Sequence, residues 1–176
     1  MNQNNRTHGG ESRFNKVALV TDRGGHWQNA RMLFEQVGEN PDCILTTQGP
    51  EVKSLKSSGA NVVVLPYLFS WIGKRRIVNP FKASIQLLLS LYWALKVRPT
   101  CVVSLGATDV VFFCYAARLL GARVYHVECM NQVWSPSITG RLLYPICEKL
   151  YVQWPELLAS YGTKAEYAGW VISDVA

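Results

Sequence analysis

The sequence has no acidic residue between Glu51 and Asp109, although that interval carries Lys53, Lys56, Lys74, Arg75, Arg76, Lys82, Lys96 and Arg98. A segment of one sign attracts anions: nucleic acid, phospholipid headgroups or phosphorylated substrates. No G-x-G-x-x-G is present, and "DCILTTQG" ends without the carboxylate that holds a ribose. A dinucleotide site, and with it the usual oxidoreductase, is therefore disfavoured. The five cysteines are odd in number and include no C-x-x-C pair, so neither a disulfide framework nor a zinc site is indicated. A reducing cytoplasm is the expected setting, with the thiols as core filler. The longest uncharged part of "NPFKASIQLLLSLYWALKVRP", Ala83–Leu95, has 13 residues, short of the ~20 that cross a bilayer. No apolar leader opens the chain. "MNQNNRTHGGESRFN" is polar, so residues 1–15 are expected to be a disordered tail and export is disfavoured.

What is present suits one globular domain over residues 16–176, since 49% of the 176 residues are hydrophobic and 17% charged. Short β-rich runs recur at 16–21, 42–47, 61–66, 100–106, 122–128, 149–154 and 164–170. Helix-like segments fall between them near 27–38, 50–58, 80–97, 108–120, 138–147 and 155–161. This alternation predicts an α/β fold, a doubly wound parallel sheet with helices on both faces. Ligands of such sheets gather beyond the carboxyl ends of the strands.

"TDRGGHWQNA" (21–30) lies at one such end, where a strand, a glycine turn and a helix start follow one another. That arrangement can offer backbone N–H groups to a phosphate, or the glycines can serve only tight packing. The helix dipole biases His26 toward its neutral form. A neutral imidazole takes a proton from a hydroxyl or donates a hydrogen bond to a phosphate oxygen.

Asn79-Pro80 predicts a helix entry and Arg98-Pro99 its end. The helix between is either a core helix, with Leu87, Leu88, Leu91 and Leu95 covering the sheet, or an interfacial one. "PYLFSWIGKRR" (66–76) places Tyr67, Phe69 and Trp71 beside Lys74, Arg75 and Arg76. Aromatics next to cations seat peripheral proteins at headgroups. Trp71, Lys74, Arg75, Arg76 and Lys82 are the expected membrane-associating residues. No nucleic-acid recognition motif accompanies the patch.

Three segments, "VTDRGGHWQNARML", "VVSLGATDVVFFCYAARLLGARVYHVECMNQVWSPSITGRLLYP" and "LYVQWPELLASYGTKAEYAGWV", resemble the acceptor-side subunit of bipartite glycosyltransferases. This is the family of the membrane-associated partner of the eukaryotic dolichol-linked N-acetylglucosaminyltransferase and of bacterial PssD-like exopolysaccharide proteins, and the chain is also similar to the N-terminal half of MurG. The most specific part is the ordered set G-G-H, S-x-G, an apolar-Glu strand end, S-x-T-G and Q-W-P.

The resemblance implies half of a GT-B enzyme. One Rossmann-like domain holds a polyprenyl-diphosphate-linked saccharide at the cytoplasmic face of the inner membrane, and a partner subunit binds the UDP-sugar. The end at Ala176 falls about where a linker to a donor domain would begin. The lack of an N-terminal membrane helix points toward bacterial exopolysaccharide synthesis. His26 becomes the candidate base or acceptor-positioning group, with Asp22 and Glu128 as the other catalytic candidates. The resemblance assigns Gly24, Gly25, Ser104, Gly106, Ala107, Asn131, Ser137, Thr139 and Gly140 to the substrate. Gln153, Trp154 and Glu156 are assigned to cleft or subunit contacts. No metal or cofactor is implied. Structural alternatives stand beside several of these: an ion pair of Glu128 with Arg123 or Arg141, a helix cap for Ser137, a core position for Trp154. For the whole chain, the competing reading is a non-catalytic membrane adaptor that recruits and activates the donor-binding subunit.

Overall fold

The computed structural model describes residues 16–72, 75–106 and 108–171. Lys74 and Ala107 lie outside them, as do the expected tail over residues 1–15 and the last five residues of the expected domain; the side chains of Trp71, Arg75 and Arg76 are likewise not described.

Seven strands form one parallel sheet: β1 (Val17–Thr21), β2 (Cys43–Thr47), β3 (Val62–Leu65), β6 (Cys101–Leu105), β7 (Arg123–Val127), β8 (Lys149–Val152) and β9 (Ala165–Tyr167). Their order is β3-β2-β1-β6-β7-β8-β9. The order reverses between β1 and β6, so the loops leaving these two strands open a crevice at the switch point. A two-stranded antiparallel hairpin, β4 (Phe69–Ile72) and β5 (Arg75–Val78), stands apart and pairs Trp71 with Arg76.

Alternation along the strands sorts the core onto two faces. Ala18, Val20, Val102 and Val124 pack with α3 (Pro80–Val97), α4 (Val111–Leu119) and α5 (Ile138–Leu143). Leu19, Ile44 and Leu105 pack with α1 (Gly25–Val37) and with Leu55 of α2 (Glu51–Ser57) on the other face. The doubly wound α/β arrangement expected from the sequence is present. All five cysteines are buried and unpaired.

α3 begins as the sequence predicts. Asn79 accepts a hydrogen bond from the Lys82 amide (3.1 Å), with Pro80 at the first helical position. Its inward side is Gln86, Ser90, Ala94 and Val97, and Gln86 reaches the Pro66 carbonyl (2.8 Å). The four leucines do not cover the sheet. Leu87, Leu88, Leu91 and Leu95 are exposed, as are Phe81, Ile85 and Tyr92. Among the described residues, no helix is long and apolar enough to cross a membrane.

Candidate functional site

The β1 loop enters α1 through Gly24, whose φ of 68° suits only the left-handed region that glycine tolerates. His26 therefore lies in the first turn of α1 and faces the loop that leaves β6. There Gly106 has a φ of 72°, and a Cβ on it would run into the His26 ring. The ring also meets Cys129, which follows β7: His26 Nδ1 is 2.8 Å from Cys129 Sγ. Three consecutive loops of the switch region thus hold one imidazole.

Asp22 lies beside it. One carboxylate oxygen is bonded by the Thr47 hydroxyl and by the Arg23 amide (2.8 Å). Asp22, His26 and Gly106 line a cleft of about 360 Å³ together with Thr108, Asp109, Cys129, Asn131, Ser137 and Thr139. Burial lowers the His26 pKa, reinforced by His126 and opposed by Asp22 and Glu128. The ring is thus biased toward its neutral form. Burial, together with the Glu128 carboxylate, raises the Cys129 thiol to about 12.

Beneath the cleft lies a buried polar cluster. Glu128 is 1% exposed. Its Oε1 accepts hydrogen bonds from the Tyr161 hydroxyl and from the Ser137 amide (2.9 Å), and its Oε2 lies 3.8 Å from His126 Nε2. Burial alone would raise this carboxyl, but His126, Tyr161 and Ser137 all favour the anion and hold its pKa at about 2. Ser104, fully buried, links His126 Nδ1 (3.3 Å) to the Gly106 carbonyl (3.2 Å).

A larger apolar groove, about 500 Å³, opens on the α1 face beside Leu33, Phe34, Val103, Tyr125 and Tyr151. His26 and Asp22 converge instead on the smaller cleft.

A family model described as "Oligosaccharide biosynthesis protein Alg14 like" matches residues 60–171. This chain belongs to that family. It is 38% identical over 80 residues to the UDP-N-acetylglucosamine transferase subunit ALG14 of Yarrowia lipolytica, a match covering 42% of this chain and 37% of that one. With the corresponding subunit of Schizosaccharomyces pombe it is 34% identical over 101 residues, 53% of this chain and 48% of that one. The matches thus span less than half the length of either relative. Among solved structures, MurG of Acinetobacter baumannii superposes with a TM-score of 0.69 at 19% identity, over 90% of this chain and 47% of MurG. A UDP-GlcNAc 2-epimerase from Methanocaldococcus jannaschii gives 0.61 at 16%, over 88% of this chain and 45% of the epimerase. These likenesses establish the Rossmann-like fold.

In this Alg14-like chain the structure gathers several of the residues singled out by sequence in and beneath the cleft. His26, Asp22, Gly106, Asn131, Ser137 and Thr139 line the cleft. Glu128, Ser104 and Gly140 lie below it, and a Cβ on Gly140 would strike Tyr161 and Glu128. Glu128 bonds neither Arg123 nor Arg141 in the ion pair its position suggested: Tyr161 and Ser137 take that place, while Arg123 pairs with Glu148 (3.8 Å). Ser137 caps α5 by accepting from the Gly140 amide (2.8 Å). The Gly24 amide donates to Glu51 Oε1 (2.9 Å), so a carboxylate of the chain occupies one of the N–H groups that the strand–turn–helix arrangement could offer to a phosphate.

Gln153 is 2% exposed and its amide is used internally, donating to the Glu128 carbonyl (2.8 Å) and accepting from the Val171 amide (3.0 Å). It is a clasp within the chain rather than a contact surface. Trp154 packs against Trp170 at 4.6 Å and bonds the Met130 carbonyl (2.6 Å), while Glu156 is exposed.

Sequence reasoning missed Thr108, Asp109 and Cys129. Each follows the carboxyl end of β6 or β7, the position where a ligand was already expected. Among the described residues, no group of three His, Cys, Asp or Glu side chains could hold a metal ion.

Proposed function

We propose that this chain is the acceptor-binding subunit of a two-chain inverting glycosyltransferase, moving a sugar from a UDP-sugar to a polyprenyl-diphosphate-linked saccharide. The observation that carries this reading is the convergence of His26 and Asp22 on one cleft at the switch point of a GT-B-like sheet. Family membership and the names of the relatives support transferase chemistry and a subunit role. In this reading residues 16–176 form the acceptor domain, and the donor sugar arrives on a partner subunit facing the cleft, with Trp154 and Glu156 at its edge.

The acceptor hydroxyl binds between His26 and Asp22. Its oxygen attacks the anomeric carbon and its proton passes to one of these side chains. The bond to UDP breaks with its electron pair on the departing diphosphate, and the configuration inverts. The outward face of α3 seats the chain on the cytoplasmic face of an anionic membrane. Phe81, Ile85, Leu88 and Tyr92 recur at helical spacing there, with Lys82 and Lys96 at the two ends.

The test is transfer from UDP-GlcNAc to a short polyprenyl-diphosphate saccharide by this chain alone and with a co-expressed donor-binding subunit. Activity that requires both chains supports the reading. Full activity of a pair carrying His26→Ala would replace it with the adaptor.

A further inference from the structure

We propose that Cys129 is a positioning residue: its thiol donates to His26 Nδ1, fixes the imidazole as the Nε2–H tautomer, and presents that N–H to the cleft as a hydrogen-bond donor. The placement is tightly determined. The ring is wedged between Gly106, where a Cβ would overlap Nδ1 and its neighbours, and Cys129 Sγ at 2.8 Å from Nδ1. The edge bearing Nδ1 is therefore occupied by the protein. Nε2 is not among the buried polar atoms that lack a partner, and it makes no bond within the described chain, so it is the nitrogen open to the cleft.

Only one proton lies between sulfur and Nδ1, and chemistry decides which atom holds it. An imidazole nitrogen is a strong acceptor and a thiol sulfur a weak one, so S–H···N matches the better acceptor to the available proton, whereas N–H···S would leave the S–H without a use. Cys129 is 6% exposed, so its thiol is largely shielded from solvent. A thiolate–imidazolium pair is disfavoured from both sides, because burial raises the thiol and lowers the imidazole. With Nδ1 accepting, the neutral ring must carry its proton on Nε2.

The consequence for the proposed reaction, and the part that rests on that reading, is a division of roles. His26 donates to an oxygen of the acceptor, and the hydroxyl proton goes to the carboxylate of Asp22. The tautomer itself does not depend on what the cleft binds.

The ring nitrogens of His26 report the tautomer directly through their ¹⁵N chemical shifts, measured on the full chain labelled at histidine near neutral pH and assigned with His26→Gln. The wild type is expected to show Nε2 protonated and Nδ1 bare. In Cys129→Ala the two shifts should move toward each other as both tautomers become populated, and Cys129→Ser, whose hydroxyl donates from the same side, should restore the separation. A protonated Nδ1 in the wild type, or an unchanged ring in Cys129→Ala, overturns the proposal. The wild-type spectrum decides even where a variant fails to fold. Loss of the glycosyltransferase reading would leave the spectrum as it is, so the two failures are distinguishable.

Discussion

His26 and Cys129, 103 residues apart in the chain, meet at 2.8 Å because the loops after β1 and β7 both open at the switch region of the sheet. Gly106, in the loop after the strand between them, completes the contact by having no side chain. Gly106→Ala should therefore act twice. Its φ of 72° costs a residue with a Cβ roughly 1–2 kcal/mol, and the new methyl displaces the imidazole. Thermal unfolding should show the destabilisation, and transfer by the assembled pair should fall more than stability alone explains.

If His26 serves as a donor, His26→Gln should retain part of the activity, since a side-chain amide also donates. Asp22→Asn should abolish transfer, because an amide accepts no proton. Steady-state rates of the two variants with a saturating UDP-sugar compare these directly.

The buried carboxylate predicts a pH dependence. Glu128 has its folded pKa at about 2, below the ordinary 4.5. Its contribution is fully present above pH ~4.5 and is lost as pH falls toward ~2, and linkage puts its size on the order of 3 kcal/mol. Glu128→Gln should flatten the acid limb of the stability curve. Tyr161→Phe removes a hydrogen bond to the anion and should cost roughly 1.5–3 kcal/mol in chemical denaturation.

Much of this fold was legible because parallel strands are written as short continuous apolar runs: all seven expected runs became strands of the one sheet. The β4–β5 hairpin was not, since the aromatics and cations of residues 66–76 hid a four-residue alternation. The helix expected at 108–120 begins as a 3₁₀ turn, Thr108–Val110, where Asp109 accepts from the Leu68 amide (2.8 Å). The segment 155–160 is 3₁₀ throughout, and α5 stops at Leu143, ahead of Pro145, rather than at 147. In the site, His26 and Asp22 were legible from their place after a strand. The inward turn of Glu128 and the contact of Cys129 were not, because both depend on which loop packs against which, a long-range matter that local spacing does not record.

The outward face of α3 makes a separate prediction. Leu88 and Leu91 are 68% and 42% exposed, so replacing both with Glu should leave the melting temperature within experimental error. Burial of a leucine is worth ~1.5–3 kcal/mol, and the double variant should bind vesicles of phosphatidylglycerol and phosphatidylcholine at least about tenfold more weakly in co-sedimentation. Unchanged binding would remove α3 as the membrane seat.

The central claim is that this chain contributes groups to a shared active site. It is tested most directly by the rate of sugar transfer to a polyprenyl-diphosphate saccharide by the assembled pair, with and without His26→Ala, at equal occupancy of the donor-binding subunit. The account predicts a loss of about a hundredfold, with assembly intact. A variant pair as fast as the wild type would contradict it.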